Sequence, residues 1–187
     1  MSYDVYCYRP SLIAPSSEEA QALIQSEEGA IRRDDEEARR IKATIADALL
    51  KYNPRLEPFR LDHNEVAKQM KITYEEAKAQ WNHIELNPPE GDLAIQLEIH
   101  WDHVSLTVPY WYKGAKADEV FSQLSDYLRV IRETAGFFAY DPQTDRAFDP
   151  EKEEFGKHGE YDRIAVNLPA IIAQGQKSKP KQWWKFW

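Results

Sequence analysis

The sequence has one cysteine, Cys7, so it forms no intramolecular disulfide and suits a reducing compartment. Glycine is scarce, seven in 187 residues, and none falls into a phosphate-cradling loop. No Gly-x-Ser-x-Gly nucleophile elbow is present. These gaps leave no motif that calls for a nucleotide cofactor or an acyl-enzyme, and no cofactor is expected. No apolar run approaches the ~18 residues of a membrane span. The start, Met-Ser-Tyr-Asp, lacks the basic and then apolar stretches of a secretory signal. The expectation is a cytoplasmic chain without stable membrane insertion.

Positive charge is also short: 24 Lys and Arg stand against 32 Asp and Glu, a net charge of −8. The last 13 residues hold four lysines (Lys177, Lys179, Lys181, Lys185) and no acid. Residues 1–174 therefore carry −12, the whole-chain value less those four positive charges. An acidic body repels phosphate backbones, which disfavours nucleic acid, and suits a basic protein partner. The length fits one domain, 1–174, followed by a basic, Trp-rich tail, 175–187.

The clearest pattern lies in residues 93–140. Leu93, Ile95, Leu97, Ile99 and Trp101 recur at every second position, as do Val104, Leu106, Val108 and Tyr110. This is the period of strands with one buried face. Pairing the two around Asp102–His103 sets Ile99 beside Leu106 and Leu97 beside Val108; a four-residue loop in that register fits equally. Val120, Phe121, Leu124, Leu128, Ile131 and Ala135 then mark the apolar stripe of a helix. Gly136 suits its left-handed end, and a third strand follows over 137–140.

Elsewhere, residues 3–8 read as a strand with Val5 and Cys7 on one face. Ser16 with Glu19, and Thr73 with Glu76, carry the capping-box spacing of helix starts. A long helix is expected over 36–52, stopped by Asn53-Pro54, then a loop over 55–62. Short helices are expected over 64–70 and 74–81, and a short strand over 83–87. The two short helices have the outline of a helix-turn-helix. Glu75 and Glu76 beside the single base Lys78 favour a packed corner instead. The fold class is α+β: an antiparallel sheet with helices packed on one face, compatible with a ferredoxin-like sandwich carrying inserted helices.

Two constellations bear on function. Glu98, His100 and Asp102 share one strand face next to His103, a set able to hold a metal or do acid–base work. No second ligand cluster accompanies them, so a solvated sheet face is the preferred reading, and His63, His83 and His158 read as isolated. Tyr110-Trp111-Tyr112 is more unusual, because three consecutive aromatics on a strand cannot all face one core. Trp111 and Tyr112, with Trp183, Trp184, Phe186 and Trp187 of the tail, are the expected partner-binding residues.

Met-Ser-Tyr-Asp-Val-Tyr at the start, residues 83–87 (His-Ile-Glu-Leu-Asn), residues 106–111 (Leu-Thr-Val-Pro-Tyr-Trp) and residues 140–143 (Tyr-Asp-Pro-Gln) resemble a set of small bacterial proteins of unassigned function. That set is similar in turn to toxin-neutralising immunity proteins. The likeness covers the first stretch and residues 83–149, and transfers no catalytic set. It implies a protein that binds and neutralises a cognate bacterial toxin, in keeping with a basic toxin domain as partner and no enzymatic activity. Two alternatives stay open: a small metal-dependent hydrolase using Glu98, His100, Asp102 and His103, and an adaptor working through its C-terminal tail. A homo-oligomer stays open as well.

Overall fold

The computed structural model describes residues 2–25, 34–153 and 155. Their elements run β1 (Ser2–Tyr8), α1 (Ser17–Gln25), α2 (Glu36–Tyr52), β2 (Glu57–Phe59), α3 (His63–Met70), α4 (Tyr74–Gln80), β3 (Ile84–Asn87), β4 (Gln96–Ile99), β5 (His103–Pro109), α5 (Ala115–Ala135), β6 (Phe138–Asp141) and β7 (Arg146–Phe148). The fold is α+β. One antiparallel seven-stranded sheet has the order β2-β3-β4-β5-β1-β6-β7. The inner strands β4-β5-β1-β6 are joined as β1-α2-β4-β5-α5-β6, the ferredoxin-like connectivity. The segment from β2 to β3, with α3 and α4 inside it, is the insertion into that plan.

The core lies between α2, α5 and one sheet face. Val5, Cys7, Leu97, Ile99, Val104, Leu106 and Val108 meet Ile45, Leu49, Val120, Leu124, Leu128 and Ile131, all but inaccessible to water. Each such aliphatic side chain contributes about 1.5–3 kcal/mol relative to exposure. The central hairpin pairs Leu97 with Leu106 and Ile99 with Val104, two residues away from the register expected from the sequence. His100 N–H donates to His103 O (2.9 Å), leaving Trp101 and Asp102 as the turn. A slip of two keeps every side chain on its face, so the hydrophobic pattern does not separate the two registers; the turn does. The regular part of β4 is also shorter than the alternation over 93–101.

The expected helices form. α2 has the expected bounds, with Asp35 accepting from Ala38 N–H at its start. Thr73 and Glu76 close a full capping box. At α1 only half of the box forms: Ser16 Oγ accepts from Glu19 N–H (3.3 Å). The Glu19 carboxylate turns instead to Ser11, and Ser16 N–H donates to the Tyr8 hydroxyl (2.8 Å). Gly136 ends α5 at φ 73°, its N–H on Arg132 O (2.8 Å).

Two features depart from expectation. The 55–62 stretch holds β2, which pairs with β3; Pro58 is tolerated because this is an edge strand. α1 packs on the sheet face opposite α2 and α5, where Ala20, Leu23 and Ile24 meet Tyr8, Phe138 and Tyr140. Lys42 also turns inward: it is 3% exposed, its ammonium donating to Asn82 O (2.5 Å) and pairing with Asp34 (3.4 Å). An ion lock also ties α5 to the residue that follows β7. Arg132 makes two bonds to Asp149 (2.8 and 3.1 Å), a third to Gly136 O (2.7 Å), and lies over the Phe138 ring.

Candidate functional site

β5 ends at Pro109, opposite Ser2, and the chain leaves the sheet through Tyr110, Trp111 and Tyr112. Tyr110 turns inward, edge-on to Tyr3 at 6.2 Å. Tyr112 is half-buried and accepts a hydrogen bond from Ala94 N–H (2.7 Å). Trp111 is 69% exposed, with its ring edge-to-face against Tyr112 at 6.1 Å. A large ring thus stands outward on a tyrosine that is itself fixed. Two open clefts adjoin this end of the sheet and share Pro88. One, of about 480 Å³, includes Ser2, Asn87, Ala94, Gln96 and Thr107. The other, of about 340 Å³, includes Asn53, Arg55, Asp92, Lys116 and Tyr127.

The Glu98, His100, Asp102 and His103 group sits at the far end of the β4–β5 hairpin. His100 and His103 close the turn, so their side chains share a face. Their rings stack at 4.1 Å, 8° from parallel, with 4% and 2% exposure. His83, expected to be isolated, joins them, its ring 5.1 Å from His100. Asp102 Oδ1 lies 2.8 Å from His103 Nδ1. Burial alone would raise the Asp102 carboxyl; the hydrogen bond and charge of His103 outweigh it and hold the group below the usual carboxylate range. Glu98 approaches His100 only to 4.0 Å. Among the described residues no three His, Cys, Asp or Glu side chains are placed to hold a metal ion.

The same sheet face carries a like-charge pair, Glu85 directly opposite Glu98. Asn87 and Gln96 both donate to Glu85 (2.7 Å each), which offsets the repulsion. Cys7 is fully buried and burial pushes its thiol well up, so it behaves as a small apolar residue.

Of the expected partner-binding residues, Trp111 and Tyr112 are adjacent as their sequence requires, one exposed and one pinned. Trp183, Trp184, Phe186 and Trp187 lie outside the described residues, as does the boundary at 174/175. Sequence reasoning missed the cleft around Tyr127. Its sequence trace is the polar stripe Lys116, Gln123 and Tyr127 at helical spacing on α5, which the stronger apolar stripe overshadows. No helix among the described residues is long and apolar enough to cross a membrane. Comparisons with protein-family models, with curated proteins and with solved structures found no match.

Proposed function

We propose that the chain is a protein-binding module that neutralises a cognate bacterial toxin by direct contact, with Trp111 as its anchor. The observation that carries this reading is the 69% exposure of Trp111 beside the hydrogen-bonded Tyr112. A tryptophan held outward brings a large contact area with little conformational entropy to lose, which is the chemistry of an interface hot spot. The net charge of −8 favours a basic partner. The resemblance to immunity proteins points to a toxin.

The test is to search the neighbouring reading frames for a toxin domain, to co-purify that domain with this chain and to measure binding. A one-to-one complex is expected, with association that slows steeply as salt rises. Trp111→Ala should weaken it at least ~30-fold, about 2 kcal/mol. A complex indifferent to Trp111→Ala, or no complex, overturns the reading. The hydrolase alternative rests on one observation, the Asp102–His103 hydrogen bond, which is how a carboxylate orients a catalytic imidazole. Its test is metal content and hydrolytic activity of tag-free protein, abolished by His103→Ala.

A further inference from the structure

The second cleft, of about 340 Å³, has an excess of unspent hydrogen-bond donors. Asn53 caps α2, and its Oδ1 accepts from Arg55 N–H (3.1 Å). That fixes the amide, so Nδ2 is the atom donating to the Tyr127 hydroxyl (2.8 Å). A phenol oxygen that accepts must direct its own proton elsewhere. No hydrogen bond from that proton is found among the described residues, yet Tyr127 is 2% exposed.

Gln123 lines the same cleft one helical turn earlier. Its Nε2 is shielded from solvent and has no hydrogen-bond partner of good geometry among the described residues, although its amide lies close enough to the Tyr52 phenol to favour the phenolate. Buried donors left in this state are uncommon in folded proteins. Two cations complete the lining. Arg55 spends one of its five N–H groups on Asp92 (2.7 Å), and Lys116 is held by the exposed Glu119 (2.7 Å). Both cations are thus already paired, Arg55 with Asp92 and Lys116 with Glu119, and the cluster is neutral in a chain of net charge −8.

We infer that this cleft binds a small monocarboxylate. A carboxylate offers acceptors and no proton, which complements the Tyr127 hydroxyl and the Gln123 amide. A phosphate dianion would bring a larger negative charge toward Asp92 into a cluster that is already neutral. Pro88, Leu93 and the Tyr52 ring give an apolar wall for the body of the ligand. The volume sits at the small end of the ~300–1,000 Å³ typical of ligand sites. This inference is independent of the toxin-binding reading.

The experiment is calorimetric titration of the full chain with acetate, butyrate and benzoate, each beside its neutral amide, and with inorganic phosphate. At least one carboxylate should saturate with Kd below about 5 mM, and its amide should bind at least ~10-fold more weakly. Tyr127→Phe and Gln123→Leu should each weaken that carboxylate ~10-fold. Gln123→Leu leaves the Asn53–Tyr127 bond in place, so it keeps the test valid even where Tyr127→Phe lowers stability. Trp111→Ala should leave the affinity unchanged. The inference is overturned by carboxylates that bind no better than their amides or than phosphate, by none that saturates, or by Gln123→Leu with unaltered affinity.

Discussion

Asp149→Asn is the sharpest test of how this fold closes. Asp149 is 3% exposed, and its carboxylate receives both Arg132 bonds, the Glu151 N–H (3.2 Å) and Lys152 Nζ (3.2 Å). Asparagine keeps the shape but turns an amide toward guanidinium donors. It also leaves a cation whose side chain is only 18% exposed with Glu151, at 3.9 Å, as its remaining counter-ion. Removing one partner of a fully buried pair costs about 3–5 kcal/mol. Partial exposure of Arg132, and its remaining bond to Gly136 O, bring the expectation to about 2–4 kcal/mol. Urea denaturation at neutral pH should show this as a lower midpoint with an unchanged slope. Burial alone would raise the Asp149 carboxyl, but its bonds to Arg132, the Glu151 amide and Lys152 bring it below its ordinary value of 3.8. A depressed carboxyl contributes stability that is present above the unfolded value and lost as pH falls through the folded one. The gap between wild type and Asp149→Asn should therefore hold above pH 3.8 and narrow below it. A loss under about 0.5 kcal/mol at neutral pH, or a gap that does not narrow in acid, refutes the reasoning.

Three further outcomes are expected. Leu97→Ala should cost about 2–5 kcal/mol in urea denaturation, whereas Glu98→Ala, on the face opposite the core helices, should stay within about 0.5 kcal/mol; equal losses would mean that both faces are sealed. Trp111→Ala should leave the melting temperature of the isolated protein within about 2 °C of wild type, because the ring contributes little to the fold. Cys7 should react with a thiol reagent only as fast as the native chain opens, so labelling that is rapid in the absence of denaturant would contradict its burial.

Much of this architecture is written locally. The alternation in β4 and β5, the stripes of α2 and α5, the Thr73–Glu76 box and Gly136 are short-range signals, and each appears where its spacing puts it. What was illegible depends on distant partners. A two-residue register shift leaves the hydrophobic pattern unchanged, and Glu57-Pro58-Phe59 becomes a strand only because β3 lies beside it. Lys42 is inward because Asn82, forty residues on, offers it a carbonyl. The candidate site divides in the same way. The three adjacent aromatics at 110–112 announced an outward ring, whereas the Tyr127 cleft needs α2, α5 and the 88–93 turn together. The acid–histidine group was visible as a cluster. Its stacking follows from the turn.

The position of β1 between β5 and β6 shapes how the chain reaches this state. Both neighbours of β1 lie about 100 or more residues downstream, a separation that slows folding. During synthesis a strand bearing Val5, Cys7 and three tyrosines therefore emerges with no sheet to join. α1, α2 and the insertion can form early, but the centre of the sheet waits for the β4–β5 hairpin and then for β6. Until then β1 is an unpaired apolar strand open to wrong partners. A nascent chain arrested near residue 100 should be protease-sensitive at β1 and helical elsewhere, and extension past β6 should abolish that sensitivity in a single step.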